Sequence, residues 1–432
     1  MLALVNTEKG VADAQTQQQA PEWLYRAALL LIVLAPTQLA LALDPKTGPF
    51  IAYADIVAAA VVGLWIIWRL RKGSAGLIWP PMAVAGLLLT AVLSAGMAES
   101  LKAVAVETVQ ITLYFVAVYM LFADILTTRQ RIRGALIALA IPTAVNVVIG
   151  VYQYFAADEA FDVGALLSNR NVYSAYLAMV LPIGFGIMLW LGAGWLRWLL
   201  CLGIAAGVLT MLSPPLVWVA LLVALVLIMS AQRQARNYGL ALVASVAALV
   251  ILLPKNHDAA VRELLDPREE GPLYKLANEV GDGEQEPYIV KKRWLEWEPA
   301  LNMMAENFIL GVGAGNFQLN IGRSEYYGFL PNVKKSEPDT NNLYLVVGCT
   351  MGFAGLICLV AYLGHFWRKA SVLWLQVEDG WPRGLAMGLA GSVAAIALAN
   401  IFTSLFVRGT GVIWALVFAM IAVMSHGAMR NE

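Results

Sequence analysis

Three arginines lie at or between long apolar runs, with Arg170 at the start of one run, Arg408 in a short connection and Arg293 in the long polar stretch at 254–342. A guanidinium group is planar and always charged, so it binds phosphate oxygens through two parallel hydrogen bonds. With the neighbouring Lys291 and Lys292, these arginines could form a basic pocket for a phosphate-bearing lipid. The alternative is that they are ordinary interfacial side chains, which extend from helix ends toward water and the lipid headgroups.

The composition indicates a protein that spans a membrane many times. Of its 432 residues, 60% are hydrophobic and 13% are charged, whereas a soluble domain carries about 25% charged residues. The formal net charge is zero, which gives no basic surface for nucleic acid. Cys201, Cys349 and Cys358 all lie in apolar runs without the spacing of metal ligands. We therefore interpret them as buried residues rather than a metal or disulfide site.

Twelve apolar runs are long enough to cross a membrane, since a transmembrane helix needs about 20 mostly apolar residues. We predict an all-α polytopic membrane protein with about 12 transmembrane helices and a large outer loop between the ninth and tenth. Pro214 and Pro215 separate the seventh span from the eighth, because proline cannot continue the preceding helix. The predicted spans are 24–43, 50–68, 77–97, 103–123, 134–154, 171–191, 195–213, 215–231, 237–253, 342–366, 384–405 and 410–427.

The distribution of Lys and Arg predicts the orientation, because positive residues concentrate in cytoplasmic connections. Basic runs follow the even-numbered spans, for example at 69–72 and 128–133, so we place both termini in the cytoplasm. The long polar stretch then faces the outside, which is the periplasm in a Gram-negative cell. The predicted parts are a cytoplasmic tail at 1–23, nine spans at 24–253, the outer loop at 254–341, and three spans with a short tail at 342–432.

The second half of the outer loop contains an apolar repeat that is typical of an amphipathic helix. The apolar residues from Trp294 to Phe308 follow steps of three and four, which is the spacing of one helix face. Such a helix can lie at the membrane interface, where its tryptophans anchor it. The glycine run at 311–315 lacks the Lys and Ser/Thr of a phosphate-binding loop, so we interpret it as a tight turn.

Aromatic side chains in the outer loop are candidates for contact with a sugar. Trp294 and Trp297 lie on the predicted helix, and Tyr326 and Tyr327 lie in the polar and aromatic segment at 323–337. This segment suits a sugar-contacting rim and equally suits an ordinary exposed loop.

Three blocks of this sequence resemble the O-antigen ligase and O-antigen polymerase superfamily. SNRNVYSAYLAMVLPIGFG at 168–186 is similar to the family's Asn-Arg-Asn segment and the span after it. RWLEWEPALNMMAENFILGVGAGNF at 293–317 is similar to the block that ends in Gly-x-Gly-x-Gly-x-Phe. PDTNNLYLVVGCTMGFAGL at 338–356 is similar to the block that begins with His-Asn. The order and spacing of the blocks relative to the spans carry the resemblance.

The resemblance implies an enzyme of the bacterial inner membrane that transfers a glycan at the outer face. The donor would be a glycan on undecaprenyl diphosphate, and the acceptor would be lipid A–core or a second lipid-linked repeat. Membrane lipids and other membrane subunits are the further partners it allows, with no metal, no other cofactor and no nucleic acid. By this resemblance Arg170, Arg293 and Arg408 hold the diphosphate, and a base in the third block activates the acceptor hydroxyl.

The sequence departs from the family's pattern at residues that matter for catalysis. Asn341 and Asn342 stand where the family has His-Asn, which leaves Asp339 as the nearest carboxylate. Asp339 and Asn341 are therefore the candidate catalytic residues, although Asp339 could instead cap the next helix, and we favour that interpretation. Ser-Pro-Pro at 213–215 replaces the family's Ser-Arg-Gly, and Thr350 replaces a frequent glutamate.

These residues leave three functions open. The first is an active ligase or polymerase with altered site chemistry. The second is a catalytically silent relative that serves as a scaffold subunit of a membrane assembly. The third is a transporter, which we rank last because the spans carry few charges and no repeat between the two halves is visible.

Overall fold

The computed structural model describes residues 19–37, 40–41, 51–72, 76–156, 163–167, 170–191, 194–211, 215–230, 288–321, 326, 340–404 and 409–427. Over these residues the regular structure is helical, apart from two-residue strands β1 (Ala40–Leu41) and β2 (Ile51–Ala52), which pair antiparallel. The helices are α1 (Glu22–Leu34), α2 (Tyr53–Lys72), α3 (Met82–Leu93), α4 (Leu101–Ile111), α5 (Tyr119–Ile125), α6 (Arg129–Ala156), α7 (Arg170–Trp190), α8 (Trp195–Thr210), α9 (Pro215–Ser230), α10 (Tyr288–Glu306), α11 (Phe317–Asn320), α12 (Leu343–Gln376), α13 (Trp381–Ala399) and α14 (Gly409–Ser425). A π-helical stretch (Thr112–Val118) joins α4 to α5, and short 3-10 turns lie at Ser94–Met97 and Ala165–Leu167.

The helices confirm a helical membrane protein. Described helices lie on eleven of the twelve predicted spans, and the ninth span, 237–253, lies outside the described residues. Among the described residues, six helices are long and apolar enough to cross a membrane, namely α2, Leu101–Ile125, α6, α7, α12 and α13. The count of about 12 spans stays a prediction. The first predicted span is wrong at its end, since α1 ends at Leu34 and β1 follows, because Pro36 cannot continue the helix.

Large apolar side chains cover much of the outside of these helices. Leu70, Met82 and Trp195 are all mostly exposed. A soluble protein rarely exposes broad apolar patches, whereas lipid tails are as apolar as these side chains. The exposure therefore fits helices that face lipid.

One helix lies at the centre of the bundle. Every residue of α14 from Gly409 to Met424 is buried, as expected for a helix that is apolar all round. Its ring of Phe418 stacks on Phe366 of α12 at 4.3 Å between centroids. Trp414, one turn earlier, packs beside Phe115 of the π-helical stretch at 5.8 Å. These aromatic contacts hold α12 and the Leu101–Ile125 helix around α14.

α7 and α13 pack backbone to backbone through glycines. A Cβ on Gly186 would overlap the carbonyl oxygen of Gly384, and Ser392 donates its hydroxyl to the carbonyl of Met179 at 2.6 Å. Small residues allow membrane helices to approach this closely. The residue nearer the end of α7 contacts the residue nearer the start of α13, and the reverse holds for the second contact. The two helices are therefore antiparallel in one fixed register.

The connections predicted to be cytoplasmic meet at one end of the bundle. Arg131, in the first turn of α6, donates to the carbonyl of Ala20, which precedes α1. Arg129 pairs with Glu378, in the connection from α12 to α13, at 3.0 Å. The Lys/Arg distribution assigns all three segments to the same side, and the structure groups them in space.

Candidate functional site

The helix that carries the third block is broken at Gly352. This residue has φ 70° and ψ −179°, a left-handed region that only glycine enters at little cost. The tenth span was predicted at 342–366, but α12 runs on to Gln376 and its first part is bent away at the break. The bend brings the two parts of α12 close together. A Cβ added to Gly355 would lie 3.6 Å from the side chain of Val347, which is eight residues earlier in the chain. The third block therefore begins on a separate short helical segment at 343–351.

The glycine turn at 311–315 docks on this break. The backbone N–H of Val312 donates to the carbonyl of Cys349 at 2.8 Å, and that of Gly313 donates to the carbonyl of Thr350 at 3.0 Å. These are carbonyls that the end of the 343–351 segment leaves without helical partners. The turn is confirmed, and its backbone donors are used to cap a helix end rather than to bind phosphate.

The same turn is tied to the start of α4 by a buried asparagine. Asn316 is fully buried, and its side-chain oxygen accepts from the N–H of Ser100 at 2.8 Å. Its amide nitrogen donates back to the carbonyl of Ser100 at 3.2 Å. The N–H of Ala314 donates to the hydroxyl of Ser94 at 2.9 Å. The second block therefore joins the α3–α4 connection to the broken helix.

The helix predicted at Trp294 to Phe308 is present as α10, but its buried face differs from the predicted one. Ala300 and Met303 are fully buried, whereas Phe308 lies beyond the helix and is half exposed. The partner of α10 is protein, since Met304 packs where a side chain on Gly348 would stand. Met304 belongs to the predicted apolar face, and Ala300 and Met303 beside it are buried, so the face of α10 that contacts protein is wider than the apolar periodicity predicted.

Asn342 caps the start of α12. Its side-chain oxygen accepts from the N–H of Leu345 at 3.1 Å, which is the geometry of a helix N-cap. The interpretation of Asp339 as this cap is therefore wrong. The N–H of Leu343 donates to the carbonyl of Asn400 at 2.9 Å, so the third block begins against the end of α13. Asn341, between these residues, has a left-handed φ of 49°, which asparagine tolerates better than most residues.

Trp297 connects α10 to both of these segments. Its indole N–H donates to the carbonyl of Thr340 at 3.2 Å. Its ring stacks on Phe402, just after α13, with centroids 6.4 Å apart and an interplanar angle of 25°. The predicted sugar contact Trp297 is thus also a structural link between the second and third blocks.

The antiparallel register places Arg170 near the same end of α13. The contact of Gly186 with Gly384 and the contact of Met179 with Ser392 are seven residues apart on α7 and eight residues apart on α13. Continuing at the helical rise, the first residue of α7 is level with roughly Ile401. Arg170 is exposed there, and the amino end of a helix carries partial positive charge. The first block therefore begins at the level where Trp297, Phe402 and the start of the third block meet.

Two of the remaining predicted residues lie on a described helix. Arg293 and Trp294 belong to α10, with Arg293 one helical turn before Trp297. Asp339, Arg408 and Tyr327 lie outside the described residues. The structure thus brings Arg170, Trp297 and Asn341 to one end of the bundle.

The side chain of Tyr326 is buried against α10. Its side chain is 3% exposed and packs with Ala300 and Met303 of α10. Its carbonyl accepts from the amide of Asn302 at 2.9 Å. The ring therefore lies in a small core under α10 rather than on an exposed rim.

Sequence reasoning missed the polar residues that hold this end together. They are Asn146, Gln153, Asn316 and Asn400, and the aromatic ring of Phe402 was missed as well. An amide inside an apolar run needs a partner, because burying it without one costs free energy. The asparagines within predicted spans were therefore a usable signal.

We expect Trp297→Ala to loosen the start of α12. It removes both the hydrogen bond to Thr340 and the stacking on Phe402, whereas Trp297→Phe removes only the bond, worth about 1 kcal/mol. Hydrogen exchange of the backbone amides at 340–345 should accelerate strongly in Trp297→Ala and slightly in Trp297→Phe. Trp195→Ala is the matched control, because its ring is mostly exposed on α8. Unchanged exchange in Trp297→Ala would contradict this link.

The comparisons with known proteins point to the same elements. A family model described as O-antigen ligase matches residues 215–360, about a third of the chain. A search of curated proteins found no match. The matched segment includes α9, α10, the glycine turn and the bend of α12, and with them the second and third blocks. Residues 215–360 thus match the O-antigen ligase family, which supports the resemblance that the second and third blocks carry.

Proposed function

We propose that this protein transfers a glycan from undecaprenyl diphosphate to an acceptor at the outer face of the bacterial inner membrane, with both termini in the cytoplasm. The acceptor is lipid A–core or a second lipid-linked repeat. The observation that carries the proposal is the match to the O-antigen ligase family. Its support in the structure is the meeting of Arg170, Trp297 and the start of the third block at one end of the bundle.

The transfer needs no electron source and no co-reactant. The acceptor hydroxyl oxygen forms a bond to the anomeric carbon of the glycan, and the bond from that carbon to the diphosphate oxygen breaks. Undecaprenyl diphosphate leaves with the electron pair, and the hydroxyl proton passes to the carboxylate of Asp339. Fixed positive charge stabilises the leaving diphosphate, and we assign this role to Arg170, Arg293 and Arg408.

The other site residues act by orientation. An amide is no base, so Asn341 would hold the acceptor hydroxyl by a hydrogen bond while Asp339, two residues earlier, receives its proton. Trp294, Trp297 and Tyr327 would contact sugar rings through their aromatic faces. Tyr326 is not part of this proposal, because its ring is buried under α10.

Arg170→Ala should lower the transfer rate by about 100- to 1,000-fold, the range found when one stabilising donor is removed from a developing charge. Arg170→Lys should recover part of the rate, because it keeps the charge but loses the two-pronged geometry. The assay is glycan transfer by purified protein in liposomes, with each acceptor class supplied in turn.

Arg26→Ala is the control for this assay. Arg26 is largely exposed on α1 and pairs only weakly, with Glu22, near the end grouped with the cytoplasmic connections. We expect it to transfer at the wild-type rate. A wild-type rate in Arg170→Ala as well would remove Arg170 from the diphosphate site.

A second candidate function is a catalytically silent scaffold subunit. It is favoured by Thr350, which stands where the family has a frequent glutamate and whose hydroxyl donates to the carbonyl of Val346 in its own helix at 2.7 Å. A defined complex purified from native membranes in fixed stoichiometry, without transfer from any lipid-linked donor, would support this function. Transfer by the isolated chain would exclude it.

A further inference from the structure

Two side chains of α6 hold the backbone of the connection that leads into α7. Gln153 accepts from the N–H of Ala165 through its side-chain oxygen at 2.8 Å. Asn146 accepts from the N–H of Leu166 in the same way at 3.1 Å. The two amides are seven residues apart, so they lie on one face of α6, two turns from each other. They form a ladder, which we call the amide ladder, against the 3-10 turn Ala165–Leu167.

Asn146 is fully buried inside a membrane-length helix, and both ends of its amide are used. Its nitrogen donates to the carbonyl of Pro36 at 3.2 Å and to the carbonyl of Pro142 at 2.9 Å. A buried amide with all its partners favours one arrangement of the segments that supply them. Asn146 thus joins the turn after α1, its own helix, and the connection before α7.

The turn held by the ladder contains a strained residue. Ala165 has a φ of 46°, a left-handed conformation that costs a residue with a Cβ roughly 1–2 kcal/mol. Such strain persists only where surrounding contacts impose it, and it is frequent beside functional sites. The bond from the N–H of Ala165 to Gln153 is one contact that imposes it.

The ladder reaches Arg170 from both directions along the chain. The turn Ala165–Leu167 ends three residues before Arg170. Tyr173 lies three residues after Arg170, in the first turn of α7. Its hydroxyl donates to the backbone carbonyl of Asn146 at 3.5 Å, and it is hydrogen-bonded to the hydroxyl of Thr210 at 2.7 Å. The residue that fixes the entering turn is therefore also in contact with the first turn of α7.

We propose that Asn146 and Gln153 are positioning residues that set the place of the Arg170 guanidinium at the outer end of the bundle. The glycine contacts with α13 fix the axis of α7, and the amide ladder fixes the path by which the chain enters it. The role of Arg170 in binding a diphosphate rests on the proposed function, whereas the positioning itself does not.

The test compares Gln153→Leu, which loses the acceptor, with Gln153→Glu, which keeps a side-chain oxygen in its place. Each is combined with Arg170→Cys, and the labelling rate by a membrane-impermeant maleimide is measured in liposomes. We expect the Leu variant to change the labelling rate at least about threefold and to accelerate hydrogen exchange at 163–167, and the Glu variant to do neither. Tyr152→Leu, on the exposed neighbouring position, is the matched control.

The functional readout is the apparent KM for the lipid-linked donor in variants that retain Arg170. Gln153→Leu should raise this KM roughly tenfold and change kcat much less, because a misplaced binding group weakens substrate binding. Equal labelling rates in the Leu, Glu and parent proteins would overturn the positioning role. Faster exchange at 163–167 with an unchanged KM would also overturn it, and would leave the ladder a purely structural feature. Altered labelling in a protein without any transfer would keep the positioning and reject the proposed function.

Discussion

Gly352→Ala is expected to destabilise the protein by at least about 3 kcal/mol, among the large effects of single substitutions. A Cβ at this position would overlap the carbonyl of Ile309 and lie 2.8 Å from the nitrogen of Leu310. Neither is a flexible side chain, and the left-handed φ adds strain of its own. Relief would require the turn at 311–315 to leave the break, which would uncap the carbonyls of Cys349 and Thr350.

The measurement is the midpoint of thermal unfolding in detergent, followed by the fraction of protein that stays monodisperse. We expect the midpoint to fall by about 10 °C. Gly364→Ala is the control, because this glycine lies further along α12 with no atom within 4 Å of an added Cβ. It should leave the midpoint unchanged or raise it slightly, since alanine favours the helix. Equal midpoints for the two variants would show that the break is not held as described.

Gly388→Val is expected to separate α7 from α13. An added Cβ would lie 2.7 Å from the Cα of Ile183 and 2.8 Å from the carbonyl oxygen of Pro182, and valine adds two further methyl groups. Overpacking at such a contact costs about 1–3 kcal/mol or more, and here the obstacle is backbone. The bond between Ser392 and Met179 should also be lost as the helices move apart.

This substitution should act on function as well as on stability. Because the register of α7 against α13 brings Arg170 level with roughly Ile401, next to Phe402, a shift of α7 should displace Arg170 from the third block. We therefore expect loss of glycan transfer in any Gly388→Val protein that remains folded. Gly203→Val on α8 has open space around the added Cβ and should retain both stability and transfer. Full transfer by Gly388→Val would show that this register does not place the site.

The sequence was sufficient to predict the helices and the parts of the chain that form the site. Apolar runs of membrane length predicted helices such as α6 and α7, since burial in lipid requires a helix to satisfy its own backbone. The three blocks predicted that Arg170, Trp297 and Asn341 belong together. Their meeting at one end agrees with the even number of spans predicted between the segments that carry them.

The details of the site depended on contacts between distant parts of the chain. Gly352 in an apolar run is compatible with an unbroken helix, and only the docked turn some forty residues earlier makes it a break. The contact of Met304 with Gly348 gives α10 a protein partner, which no periodicity within α10 reports. Asn342 rather than Asp339 caps α12 because the carbonyl of Asn400 fixes where the helix starts. In each case, contacts between residues that are distant in sequence determine the structure instead of the local sequence pattern.

The most direct test of the proposed transfer is the release of undecaprenyl diphosphate from a lipid-linked glycan donor. Purified protein in liposomes is supplied with donor and acceptor, and the released lipid is quantified by mass spectrometry beside the elongated acceptor. We predict release in equal amount to the transferred glycan for the wild-type protein, and a loss of about 100-fold or more for Asp339→Ala combined with Arg170→Ala. Release above protein-free liposomes that persists in the double variant would contradict the assigned site. No release by the folded wild-type protein with either acceptor class would contradict the function itself.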